Sequence, residues 1–117
     1  MDTRSLMVTE QEGVTLVRFR DNSILDNDTI QRIGRELGEL VDSGVQRMAL
    51  DFRDVRFLSS QALGVLTTLR SRAEKAQARV VLAALRPEIV RVFKITNFAK
   101  MFSFFEDADA AVRHLAQ

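Results

Sequence analysis

The chain has 117 residues, 46% of them hydrophobic and 28% charged, and its seventeen basic and sixteen acidic residues leave a net charge of +1. This length predicts one domain over residues 1–117, with enough buried surface to stand without a disulfide or a metal. The composition excludes a disordered tail, and the near-neutral charge, with Arg and Asp/Glu interspersed, argues against a nucleic-acid partner.

Leu6–Thr9 and Val14–Phe19 are short strand-like runs. Glu10-Gln11-Glu12-Gly13 between them predicts a tight reversal, hence an antiparallel hairpin. Asp21-Asn22-Ser23 reads as loop. From Asn27 the period becomes helical, with Ile30, Ile33, Leu37, Leu40 and Val41 on one face. Asp26 or Asn27 can cap that helix, and Gly44 ends it. Gly34 and Gly38 lie on one face, which lets the backbone approach a neighbour closely. Met48–Phe52 predicts a buried central strand. Ser59-Ser60 opens a second helix with Ala62, Val65, Leu66, Leu69, Ala73 and Ala76 facing inward, and with Arg70 and Glu74 four apart on its wet side. Arg79–Ala83 is a further strand. Pro87 suits the first turn of a helix whose inward stripe is Ile89, Val92, Phe93 and Thr96, and Asn97 suits its left-handed end. Met101–Phe105 predicts a last strand and Asp107–Leu115 a last helix.

The order β-β-α-β-α-β-α-β-α predicts an α/β domain. Its sheet is mixed and mostly parallel, with an antiparallel N-terminal strand, and about four helices cover it. No apolar run approaches the roughly 20 residues of a membrane span. Met1 to Ser5 is short and polar, which predicts no signal peptide.

The missing residue types narrow the chemistry. Without cysteine there is no thiolate nucleophile and no Cys–zinc site. The only histidine is His114, so a multi-His metal centre is impossible and a Ser-His-Asp triad would have to recruit it. No catalytic residue, metal or cofactor is expected. All eight aromatics are Phe in core-like patterns, which leaves no stacking platform for single-stranded nucleic acid.

Ligands of open α/β sheets gather at strand ends where helices begin. Asp51-Phe52-Arg53-Asp54 is one such place, and a carboxylate there would suit a phosphoryl-accepting receiver. That chemistry needs further acids at another strand end and a lysine. Val14–Phe19 runs instead into Arg20-Asp21-Asn22, and Lys94 and Lys100 have no matching context. Asp51 and Asp54 therefore read as loop or turn residues. The second place is Phe57-Leu58-Ser59-Ser60-Gln61-Ala62-Leu63-Gly64. A hydroxyl at a helix start faces free N–H groups and a positive dipole end, both of which stabilise a phosphate. Serine is also a preferred N-cap, so a purely structural role accounts for the same residues. A serine hydrolase is not expected, because no G-x-S-x-G elbow is present.

At this segment the sequence resembles the STAS domain, and within it the anti-sigma factor antagonists. Their strand-Asp-Leu-Ser-x-Val-x-Phe-Ile-Asp-Ser-Ser-Gly-Leu-Gly-x-Leu pattern is similar to Leu50-Asp51-Phe52-Arg53-Asp54-Val55-Arg56-Phe57-Leu58-Ser59-Ser60-Gln61-Ala62-Leu63-Gly64-Val65-Leu66. Leu25-Asp26 resembles the family's Leu-Asp before the first long helix. Arg86 to Phe98 resembles its Pro-x-Val-x-x-x-Phe-x-x-Ser-Gly-Leu stretch, with Asn97 in place of Gly. The resemblance implies a cytoplasmic STAS protein that is not an enzyme. It would bind an anti-sigma factor with serine-kinase activity, and a serine phosphatase would reverse the modification. Carried over by position, Ser60 is the phosphoacceptor, with Ser59 the second candidate, and Asp26, Ser59, Ser60, Gln61 and Leu63 form the partner surface. Ser59 replaces the family's Asp before the acceptor, and Ala62 replaces a Gly. The alternative is a non-phosphorylated STAS scaffold or ligand-sensing module within a larger complex, and a homo-oligomer is compatible with either.

Overall fold

In the computed structural model residues 5–117 are described, so the polar start from Met1 lies outside them apart from Ser5. Strand β1 (Leu6–Gln11) turns back into β2 (Val14–Phe19) with Leu6 opposite Phe19 and Gln11 opposite Val14. Glu12 and Gly13 form the turn at φ of 52° and 78°. Two successive left-handed residues match the twist of a tight hairpin. β1 runs two residues past the expected Thr9, because Glu10 and Gln11 find ladder partners while their side chains stay in solvent.

The chain continues through β3 (Ser23–Ile24), α1 (Asn27–Asp42), β4 (Arg47–Asp51), β5 (Phe57–Leu58), α2 (Ser60–Lys75), β6 (Arg79–Ala83), α3 (Pro87–Ile95), a single 3-10 turn (Ala99–Met101), β7 (Phe104–Phe105) and α4 (Ala108–Ala116). The main sheet has the order β1-β2-β4-β6-β7, antiparallel at β1-β2 and parallel elsewhere. β4 is its middle strand and is buried from Met48 to Asp51, as its apolar run predicts. Successive side chains of a strand face opposite ways. Met48 and Leu50 join Phe19, Phe52, Leu63 and Phe93 beneath α1, α2 and α3. Ala49 joins Val14, Leu16 and Val81 beneath Ala111, Val112 and Leu115 of α4.

Further readings depart from the pattern. Ser23 belongs to a short strand, because β3 and β5 pair in parallel with Ser23 opposite Phe57 and Ile24 opposite Leu58. A two-residue pairing leaves no period in the sequence. The expected Met101–Phe105 strand is cut to Phe104–Phe105: Met101 N–H bonds back to the Phe98 carbonyl and closes a turn instead. Ala76 is exposed at the end of α2 and not on its inward stripe. The two glycines of α1 do permit a close neighbour, namely α2. A methyl on Gly34 would lie 3.1 Å from Val65 Cγ1, and one on Gly38 would strike the Arg72 guanidinium. Arg72 in turn reaches across to both oxygens of Asp42 at 2.6 Å. Asn97 takes the left-handed conformation its C-cap role requires, at φ 66°.

Candidate functional site

The corner where β3 and β5 end and α1 and α2 begin gathers the predicted residues. Ser59 N–H bonds to the Ile24 carbonyl at 3.1 Å, so the β3–β5 pairing continues to the first turn of α2. Asp26 is the N-cap of α1 and its carboxylate accepts from Thr29 N–H at 2.9 Å. Gln61 Nε2 donates to Asn27 Oδ1 at 2.8 Å and ties the two helix starts together. The two serines divide the work. Ser59 is the N-cap of α2, its Oγ accepting from Ala62 N–H at 3.3 Å. Ser60 is the first helical residue and is exposed. Capping explains Ser59, therefore, and leaves the Ser60 hydroxyl outside that duty.

The α2 side of this corner lacks the acid that the other helix starts carry, while Asp26 and Asp28 hold the α1 side. The first turns of α1, α3 and α4 carry Asp28, Glu88 and Asp109, whereas that of α2 carries no acid. The positive end of a helix dipole is stabilised by negative charge. Here the sequence supplies none of its own.

Leu63 is a correction. It has no exposed surface and lies in the main core, so it holds α2 against the sheet and offers no surface to a partner. Its place in the pattern is explained by helical spacing, since Ala62, Leu63, Leu66 and Leu69 are all buried. This corner exposes instead two apolar side chains that were not expected on the partner surface, Leu25 at 51% exposure and Phe57 at 58%. Phe57 stands out because the other Phe side chains of the core pack on one another, Phe52 against Phe19 at 4.8 Å and Phe93 against Phe104 at 5.4 Å. Its exposure was illegible without the register that sets it opposite Ser23.

The competing chemistry is occupied by structure. Asp51 is 1% exposed, its Oδ1 accepts from Arg53 N–H at 3.0 Å and its Oδ2 from Arg53 Nε at 2.8 Å. The hydrogen bond that Arg53 donates to that carboxylate, more than any other contact, raises the Arg53 pKa. Buried and with both oxygens held by Arg53, Asp51 has a structural role that accounts for it. His114 lies on α4, beside Arg79 at 2.9 Å and over the Phe105 ring. α4 and α2 cover opposite faces of the sheet, so His114 and Ser60 form no triad.

Two carboxyls report on pH. The Thr29 backbone N–H holds Asp26 below the ordinary value of 3.8, and the Arg18 hydrogen bond at 2.6 Å does the same for Asp54. A carboxyl whose folded pKa is lowered contributes stability above its unfolded pKa and loses it as pH falls through the folded value. Urea midpoints are therefore expected to hold from neutral pH down to about 4 and to decline below it, and Asp26→Asn should make that decline shallower. An unchanged acid limb in Asp26→Asn would remove Asp26 from the account.

The STAS domain profile matches residues 5–111, and the chain belongs to that family. Its relative BtrV of Bordetella bronchiseptica, whose name describes an anti-sigma factor antagonist, is 27% identical over 88 residues, 75% of this chain and 76% of that protein. An anti-sigma factor antagonist from Mycobacterium paratuberculosis superposes with a TM-score of 0.83 at 21% identity, covering 96% of this chain and 93% of that one. SpoIIAA of Bacillus in its phosphorylated form superposes with a TM-score of 0.71 at 14% identity, covering 93% and 97%. In its unphosphorylated form SpoIIAA gives 0.78 at the same identity, covering 93% and 94%. At such identities the superpositions speak for the fold. Among the described residues no helix is long and apolar enough to cross a membrane.

Proposed function

We propose that this chain is an anti-sigma factor antagonist that works in the cytoplasm by binding an anti-sigma factor with serine-kinase activity, and that Ser60 is its phosphoacceptor. The chain does no chemistry of its own in this scheme. The observation that carries the reading is the exposed Ser60 hydroxyl at the start of an acid-free first helical turn, with the capping role taken by Ser59. The kinase moves the γ-phosphoryl group of ATP onto Ser60 Oγ and releases ADP and a proton. The new group adds about −1.5 to −2 charges. The helix dipole stabilises it, while its charge and bulk disrupt the docked partner. A phosphatase restores the hydroxyl. The existence of SpoIIAA, a protein of the same fold, in phosphorylated and unphosphorylated forms supports this reading, as does the name of BtrV. Ser59 is the poorer acceptor, because its Oγ is committed to Ala62 N–H.

The test is incubation with the cognate anti-sigma factor and ATP, followed by tandem mass spectrometry of the tryptic peptides. A single phosphate on Ser60, absent from Ser60→Ala, is expected. A phosphate on another residue would remove Ser60 as the acceptor, and tight binding with no phosphoryl transfer would replace the switch with a constitutive scaffold.

A further inference from the structure

From Ser60 to Leu69, α2 reads SQALGVLTTL, ten residues without a charge in a chain that is 28% charged. Ser60, Gln61, Gly64 and Thr68 of this stretch are exposed. A surface helix normally spends such positions on charged side chains, whereas the cores of protein interfaces are depleted of charge. Gly64 sharpens the point. Glycine is a poor residue for a helix interior, and Gly34 and Gly38 have the packing of α2 as their reason. Gly64 has none inside the molecule: a methyl built on it meets nothing within 4 Å. The space it keeps open faces outward, one turn beyond Ser60 on the same side of the helix.

Beside this face runs a groove of about 550 Å³ between α1 and α2. Its ionisable lining residues are Arg35 and Arg72, and no acidic residue lines it. Arg72 is neutralised by Asp42. Arg35 is exposed and pairs with no acid among the described residues.

We propose that a helix of the anti-sigma factor seats on the outer face of α2, packed closely at Gly64 and carrying a carboxylate that meets Arg35. The inference rests on the antagonist reading and deepens it, since it gives the partner's chemistry. Charge complementarity chooses an acidic occupant. It also gives the switch its sign, because a phosphate on Ser60 places two negative charges one turn from the seat of an acidic helix.

The experiment is calorimetric titration of the unphosphorylated full chain with its cognate anti-sigma factor, alongside thermal unfolding of each variant. Gly64→Ala should unfold at the same or a higher temperature than the wild type and still bind several-fold more weakly. Gly64→Gln, with a longer side chain, should weaken binding about thirtyfold, as loss of a central contact does. Arg35→Glu should weaken it about tenfold and flatten its salt dependence. Wild-type binding that persists within twofold in Gly64→Gln and Arg35→Glu overturns this inference alone. A wild type that binds no anti-sigma factor overturns the antagonist reading and the inference with it. Loss of self-association in place of partner binding, read by sedimentation, assigns the face to a second copy and also overturns it.

Discussion

Ser60→Asp is expected to weaken binding to the anti-sigma factor by ten- to a hundredfold, while Ser60→Ala binds within about twofold of the wild type. The asymmetry follows from where the side chain stands. Ser60 is exposed and is not the cap of α2, so removing its hydroxyl leaves no buried donor or acceptor unpaired. Adding a charge is different. An interface desolvates the groups it covers, and a like charge or an unpaired carboxylate there costs several kcal/mol. Asp carries one charge where phosphoserine carries about two, so the substitution marks the lower bound of the modification's effect. Asp at the start of a helix is itself favourable, so the variant should unfold at or slightly above the wild-type temperature. Lost binding with retained stability separates a contact effect from a folding defect. Calorimetry and thermal unfolding on one preparation read both. Equal binding by Ser60→Asp and Ser60→Ala would show that this position lies outside the interface.

Phe52→Ala is expected to leave too little stability for a well-populated native state at 37 °C. Phe52 has no exposed surface. It sits at the end of β4, its ring 4.8 Å from Phe19 and 6.5 Å from Phe93, and its N–H is bonded to the Ala83 carbonyl at 2.9 Å. It therefore joins β2, β4, β6 and α3. Truncating a buried Phe costs about 3–5 kcal/mol, through lost transfer energy and the cavity left behind. The ring pairs add about 0.5–1.5 kcal/mol each to what is lost. Against a domain stability of about 5–15 kcal/mol, that loss is a large fraction. Urea unfolding should show a midpoint displaced by more than half with the slope unchanged. A displacement under a quarter would mean that the neighbouring Phe rings collapse into the space.

The course of the chain was legible wherever burial imposes a period. The stripe Ile30, Ile33, Leu37 and Val41 is buried as its helical spacing requires. Val14 to Phe19 and Met48 to Asp51 hold the middle of the sheet. Caps were legible because their chemistry is local: Asp26 bonds Thr29 N–H, and Asn97 takes the left-handed conformation at the end of α3, whereas Asp107, read as the first residue of the last helix, is its cap. What could not be read is what depends on pairing across the chain. Strand order, and the two-residue pairing of Ser23-Ile24 with Phe57-Leu58, leave no mark in either segment alone. That pairing brings the starts of α1 and α2 together, a meeting that the family resemblance implied and that no periodicity in the residues shows. Leu63 shows the opposite failure. A motif groups residues by sequence, but a helix turns each by 100°, and the neighbour of an exposed serine can be wholly buried.

The division between Ser59 and Ser60 has the same character. Adjacent serines are indistinguishable as letters, and one hydrogen bond distinguishes them. Ser59 Oγ turns inward to Ala62 N–H, which fixes the helix start and leaves the next hydroxyl in solvent. The exposure of Ser60 thus goes with the capping by Ser59, and the proposed switch asks for no rearrangement of the core.

The most direct test uses the natural modification. The protein is phosphorylated stoichiometrically on Ser60 and purified, and its dissociation constant for the anti-sigma factor is measured beside that of the unmodified form. A loss of at least about a hundredfold is predicted, with recovery after phosphatase treatment. Dissociation constants that agree within twofold before and after would contradict the account, because the group added to α2 would then stand clear of anything the partner touches.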